Sequence, residues 1–418
     1  MFEDLEKTID LGKLVLSLSC VVNLLFLLRT KVQFEKMSTG CSYSSTFGSS
    51  SISDYVCWKF VSISSPRLNR RLDYFLLLMT ILIAAMQDLL LSLESSKTGW
   101  KINESMKGTH PKSVTFDARN PNRAYCGTFG DGLWKSDDSG QTWDRIGRDA
   151  ISSNNLTSVS VSRQELGKKV YVGTEPSALY RSDDEGHSWQ KMSTLNNLSS
   201  SKSWSFPPRP WTSHVRWIEL DANILDYLFV AIEAGALVQS RDGGRTWTDR
   251  VEQGPYDTHT LATHQKAPKR LYSSAGDGYF ESFDYGESWK RPTAGLKHHY
   301  LYGLAIDPAD PDTIVISASQ SAREAHSIEA ANSLVYRRSV GNDDGDWKAI
   351  SSGLPESRGT IISILAASPK NKGEFYAVNN RGVYCSTDTG LVWRQLDISW
   401  SKDYLIQHPW ALAIRGDG

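Results

Sequence analysis

Short apolar segments recur along this chain in a fixed order, at a period of roughly 40–60 residues. Each unit opens with a short apolar strand such as Val215–Asp221 or Leu301–Asp307. Turn residues of the Pro/Asn/Asp type follow, then a strand ending in small residues. A Gly/Ala-plus-aromatic strand comes next, marked by Leu133-Trp134, Leu179-Tyr180, Leu237-Val238, Tyr279-Phe280 and Val383-Tyr384. A polar turn and a last strand opened by Trp close the unit. Four short strands separated by turn signals predict one blade of a β-propeller.

The polar turn is the most regular part of the repeat. It reads Ser136…Asp138…Gly140…Trp143, and returns at Ser182–Trp189, Ser240–Trp247, Ser282–Trp289 and Ser386–Trp393. A degenerate copy runs from Ser339 to Trp347. Ser and Asp suit a turn because their short side chains bond nearby backbone N–H groups, and Gly permits a positive φ. The five carboxylates Asp138, Asp184, Asp242, Asp284 and Asp388 are therefore expected to be structural turn staples, not metal ligands.

Seven first strands can be counted: Ser113–Asp117, Thr157–Ser162, Val215–Asp221, Thr260–His264, Leu301–Asp307, Ile361–Ser368 and Trp410–Ile414. The last has no partners after it, while residues 81–102 supply three strands and lack a first one. The expected fold is an all-β, seven-bladed propeller over residues 79–418. Its ring closes when strand 410–414 completes the blade of 81–102, which leaves no open edge between first and last blade. The apolar run Tyr74–Leu93 looks at first like a membrane span, but Gln87 and Asp88 fall within it. Ungapped alignment of Trp100 with Trp143 turns the run into two buried strands followed by a decayed copy of the turn, Leu93…Ser95…Lys97…Trp100.

Residues 1–78 do not share the repeat. Leu14–Leu28 is apolar but short for a span, and residues 38–66 are rich in Ser, with no period. This extension is expected to be a disordered linker, with residues 11–28 as a membrane anchor in one reading. In another reading the product begins near Met79. Intact mass separates the two.

Composition narrows the function little. The formal net charge of −1 gives no reason to expect a nucleic-acid partner. Of five cysteines, only Cys126 and Cys385 lie in the repeat region. That is no disulfide framework, and it favours a reducing compartment, so a cytoplasmic monomer is expected.

The repeated turn resembles the Asp-box, or BNR repeat, and the resemblance covers residues 81–414. Asp-box propellers include sialidases, xyloglucan-type glucanases, sortilin-type receptors and a photosystem II assembly factor. The overall look is similar to uncharacterised bacterial and archaeal BNR-repeat proteins labelled as glycosyl hydrolase-like. The sialidase and sortilin-type subfamilies are not supported, since the Phe/Tyr-Arg-Ile-Pro motif and a cysteine-rich module are both missing. In such families the boxes lie on the far side of the propeller from the site.

The opposite face carries the candidate chemistry. Long loops fall there: Ser193–Ser213, with Trp204, Arg209 and Trp211, and Ser319–Asn332, with Arg323 and His326. Six of nine histidines (His110, His214, His259, His298, His299 and His408) sit at or just before a first strand. Expected ligand-binding residues are His214, His259, His299, His408, Arg209, Trp211 and Arg323. If a divalent metal is bound, its ligands are sought among His110, His214, His259, His299 and His408. No cofactor is otherwise implied. If the chain is an enzyme, its acid–base pair is sought among Glu175, Glu233, Asp257 and Asp277. The leading expectation is a non-enzymatic binding propeller that holds a glycan, small molecule or protein at the channel mouth. A glycan-acting hydrolase or lyase, or a metal-assisted enzyme, are the alternatives.

Overall fold

The computed structural model describes residues 79–163, 168–206, 212–339 and 345–416. The extension 1–78, with its candidate anchor 11–28, lies outside the described residues. Within them, no helix is long and apolar enough to cross a membrane.

The described strands form seven antiparallel sheets. The first complete sheet is β4–β7 (Pro111–Asp117, Asn120–Thr128, Gly132–Ser136, Asp144–Ile146), and the next is β8–β11 (Leu156–Val161, Val170–Thr174, Leu179–Ser182, Gln190–Lys191). Two three-stranded sheets follow, β12–β14 (Val215–Leu220, Leu228–Ile232, Ala236–Ser240) and β15–β17 (Thr258–Thr263, Leu271–Ala275, Gly278–Ser282). Single bridges, Gln239 with Thr248 and Glu281 with Lys290, stand in for their fourth strands. The sheets β18–β21 (Tyr300–Asp307, Asp310–Ser319, Ser333–Ser339, Lys348–Ile350) and β22–β25 (Ile364–Ala367, Phe375–Asn379, Gly382–Ser386, Arg394–Gln395) come next. Strand β26 (Ala411–Ile414) pairs with β1 (Ile81–Ala85), which continues through β2 (Leu90–Ser96) to β3 (Gly99–Ser105).

Each first strand contacts the next around a closed circuit: β4, β8, β12, β15, β18, β22, β26 and back to β4. The described residues form a seven-bladed β-propeller, closed where β26 pairs with β1. Leu82, Ile83, Ala84 and Ala85 are fully buried in this closing blade. The decayed turn there is a two-residue hairpin at Lys97-Thr98, with Ser96 paired to Gly99.

The Ser-x-Asp-x-Gly-x-x-Trp turns form one repeated bonding pattern. In all five, the Ser hydroxyl donates to an Asp oxygen at 2.7–2.8 Å and accepts from the Gly N–H. The same Asp oxygen accepts the backbone N–H four residues on, as from Thr142, Ser188, Thr246, Ser288 and Val392. Two successive residues lie in the left-handed region, for example Ser139 at φ 63° and Gly140 at φ 87°. Glycine is required at the second of these because a Cβ on Gly140 would meet Ile83 at 2.5 Å.

The carbonyl just before the box glycine also takes a donor from the preceding blade. Glu185 receives the Tyr125 hydroxyl, Gly243 receives Arg181, and Thr389 receives Arg337. The box Trp packs on the preceding blade too: Trp289 lies against Phe229 and Leu237, and Trp393 against Val315 and Val335. The turn thus bonds blade to blade as well as strand to strand.

Candidate functional site at the channel mouth

The opposite rim is built by a second repeated device. In five blades the first strand carries a β-bulge near its start, so that one or two residues have no partner on the second strand. The extra residues are Lys112, Thr157, Arg216, His259, and Tyr302 with Gly303. A bulge re-aims a side chain, and here the backbone carbonyl of the neighbouring blade is a recurrent target. Thr157 donates to the Val215 carbonyl at 2.7 Å, and His259 Nδ1 donates to the Leu301 carbonyl at 2.6 Å.

Around these bulges the rim side chains make two linked groups. In the first, His214 Nε2 donates to Glu233 Oε2 at 2.6 Å, and its Nδ1 lies 3.5 Å from Glu175. Arg216 Nε is 3.6 Å from that same Glu233 oxygen. The other oxygen, Oε1, lies 3.6 Å from His259 Nε2, which is 3.7 Å from Asp257 Oδ2. Asp257 is held by the Ala234 N–H, which donates to Oδ1 at 2.8 Å. In the second group, the Tyr300 hydroxyl is 2.8 Å from His326 Nε2, and His326 Nδ1 is 2.6 Å from His408 Nε2. His408 stacks on Trp410, with ring centres 4.1 Å apart, and Lys112 lies over the Trp410 ring. Arg216 lies over the Tyr302 ring. The Tyr300 hydroxyl, 3.5 Å from His259 Nε2, joins the two groups.

The two groups differ electrostatically. Burial pushes the Glu233 carboxyl up, but the hydrogen bond from His214 and the charge of His214 and His259 more than offset this and hold it well below the usual range. Asp257, half as well partnered, is raised by burial. Burial alone would lower His259, yet Glu233 and Asp257 raise it. Among the described residues, neither His326 nor His408 makes an ion pair with a carboxylate, and the Glu233 charge does not offset the burial of His326. Burial drives His326 down to about 3 and His408 well below its ordinary value, so both rings are neutral. Each neutral ring has one donor and one acceptor nitrogen, which suits a directional chain from Tyr300 through His326 to His408.

The structure brings together His214, His259, His408, Glu175, Glu233 and Asp257 from the residues singled out in the sequence. It leaves others outside this cluster. His299 is exposed, and so is Arg323, on the short helix α1 (Ala322–His326). His110 is exposed and lies 3.4 Å from Asp88. Asp277 is exposed, accepting the N–H groups of Tyr256 and Asp257 as a loop brace. Arg209 and Trp211 lie outside the described residues. Trp204 is buried, packs with Leu195 and Ile232, and donates to the Ser200 hydroxyl, so it holds its loop down.

Arg216, Tyr300, Tyr302 and Trp410 were not singled out in the sequence, and His326 was noted there only as part of a long loop on this face. The first four were detectable. His214/Arg216, Asp257/His259, Tyr300/Tyr302 and His408/Trp410 are each spaced i, i+2 at the head of a first strand. Such spacing puts two side chains on one face of a regular strand, and the bulges at Arg216, His259 and Tyr302 then adjust their aim. His326 arrives from the β19–β20 loop, and nothing in its local sequence places it beside His408.

No protein-family model matches the chain, and no curated protein matches it. Solved structures do resemble it. An ancestral GH74 enzyme superposes with a TM-score of 0.52 at 16% identity, covering 73% of this chain and 38% of that one. The GH74 xyloglucanase from Xanthomonas campestris gives 0.52 at 14%, covering 79% and 53%. YCF48 bound to D1 peptide gives 0.50 at 17%, covering 74% and 93%. The chain spans about half or less of the length of these GH74 enzymes. At these identities the likeness shows the propeller fold alone.

Proposed function

We propose that this chain is a binding propeller that holds a polar ligand, a glycan or a peptide segment, at the channel mouth opposite the Ser-x-Asp turns. In this reading it acts as a cytoplasmic monomer of the Asp-box (BNR) type. One observation carries it. The mouth gathers donors, acceptors and aromatic faces from strand heads and one loop helix, each held in place by a neighbouring group: His214 on Glu233, His259 on Leu301, Tyr300 on His326, and His326 on His408. Groups locked this way lose little freedom when a ligand arrives, which is how preorganised sites gain affinity.

Glycan hydrolysis is the second reading, favoured by the presence of Glu233 and Asp257 at one mouth. It is favoured less, because both carboxylates face one buried imidazole, His259.

Isothermal titration of the full chain against oligosaccharide and peptide panels tests the proposal. Saturable one-to-one binding is expected, weakened about tenfold in Arg216→Met, a change worth about 1.4 kcal/mol. A ligand that binds the variant as tightly as the native chain moves the site elsewhere. Release of reducing ends from a bound glycan, lost in Asp257→Asn, replaces binding with hydrolysis.

A further inference from the structure

We infer that Glu233, Asp257 and His259 form a binding site for one first-row divalent cation of the Zn2+ or Mn2+ class. The inference deepens the proposed reading of the channel mouth and rests on it, by naming an ion that would sit at the base of the ligand site.

The argument is geometric. One ligand atom from each of the three residues lies within 4.8 Å of the other two. Each residue is pinned through its outer atom, and its inner atom is turned toward the common point. Glu233 Oε2 is taken by His214, leaving Oε1. Asp257 Oδ1 is taken by the Ala234 N–H, leaving Oδ2. His259 Nδ1 is taken by the Leu301 carbonyl, leaving Nε2, on a ring that is fully buried. This is the outer-shell arrangement that orients ligands in metal sites: the far ring nitrogen of a ligating histidine on a carbonyl, and ligating carboxylates themselves hydrogen-bonded.

The spacing agrees. His259 Nε2 stands 3.6 Å from Glu233 Oε1 and 3.7 Å from Asp257 Oδ2. Those separations are long for hydrogen bonds. Ligand atoms about 2.1 Å from a tetrahedral ion lie about 3.4 Å apart, so the two histidine separations already fit, while the two carboxylate oxygens, within 4.8 Å of each other, would have to close around the ion. One imidazole and two carboxylates suit a borderline cation and not Ca2+, which takes oxygen ligands only. Three protein ligands leave a position open, and the Tyr300 hydroxyl, 3.5 Å from His259 Nε2, borders it.

The test uses the full chain without an affinity tag, stripped with chelator and redialysed against Zn2+ or Mn2+. Metal content by mass spectrometry and titration calorimetry are expected to give one ion per chain. Asp257→Asn should weaken binding at least tenfold while keeping its bond to Ala234. His214→Gln, which loosens only the outer shell, should weaken it less. Glu287→Gln, exposed on the box face away from the site, should leave it unchanged. Cobalt substitution gives a second readout: an intense visible band of a tetrahedral site, absent in Asp257→Asn. A chain that retains no ion, or one that binds equally well after Asp257→Asn and His259→Gln, overturns the site. Near-UV circular dichroism checks that each variant is folded. A metal-free chain that still binds its polar ligand at the mouth removes the ion and leaves the binding proposal standing. A metal-loaded chain that binds neither panel does the reverse.

Discussion

The two faces of this propeller are built from the same blades and use opposite strategies. On the box face, one eight-residue solution is repeated five times with nearly the same bond lengths. Every Asp there serves its own turn, and the carbonyl before the glycine, in three blades, ties to the blade before. On the mouth face the backbone device, a bulge at the head of the first strand, is repeated too, but its residue changes in each blade: Lys112, Thr157, Arg216, His259, Tyr302. Identical residues at identical places signal a fold requirement. Different residues at identical places mark positions that the fold leaves free, which is what the proposed recognition surface needs.

Mutations should separate the faces, and the largest effect is expected on the box face. Trp393 is 1% exposed, and its removal in Trp393→Ala leaves a cavity between blades that costs about 3–5 kcal/mol. A lowered urea midpoint with unchanged ligand affinity is the expected result. A loss of affinity in variants that remain folded would mean that the two faces are coupled. Asp242→Ala removes an acceptor that serves Ser240, Arg245, Thr246 and its hydroxyl, at a cost of about 1–2 kcal/mol by analogy with helix caps. Tyr300→Phe should do the converse. It cuts the link to His326 with a stability loss of about 1 kcal/mol, and its main effect is on binding at the mouth. If urea unfolding shows Tyr300→Phe to be as damaging as Trp393→Ala, the mouth network is structural.

Acidification sharpens the comparison most finely, because the faces titrate in different windows. His326 has a lowered pKa of about 3 in the fold against 6.5 ordinarily. As pH falls below 6.5 the unfolded chain takes the proton first, so stability drops until about pH 3. Asp184 and Asp242 are lowered to about 2 from 3.8, the first chiefly by the Ser188 hydroxyl, the second by Thr246 against the opposing effect of burial. Their stabilisation is complete above pH 4 and is lost as pH falls through about 2. Urea midpoints measured across pH should therefore flatten between 6.5 and 3 in His326→Gln, and only below 4 in Asp184→Asn. Both variants flattening in the same window would contradict the assignment.

Most of the fold was legible in the sequence because the box is local. Its Ser, Asp and Gly act within five residues of one another, so their spacing survives as a motif, and the count of blades follows from it. Even the closing blade was readable, since Trp100 kept its register after the turn had decayed to a hairpin. The mouth was half legible. His214, His259, His408 and Asp257 announced themselves as polar residues at strand heads, and Glu233 as a carboxylate in the facing loop after a second strand. Arg216, Tyr302 and Trp410 shared that i, i+2 spacing but looked like ordinary strand residues.

The chain's own order of residues thus determined a seven-bladed ring, its closure by both ends and the face away from the boxes. Only the tertiary structure decided which side chains meet. His326 and His408 are 82 residues apart in the chain, and Glu233 lies between two histidines supplied by different blades. Such contacts depend on how the strands of neighbouring blades are set against one another and on bulges that turn single residues aside. Neither leaves a periodic trace that a sequence can display.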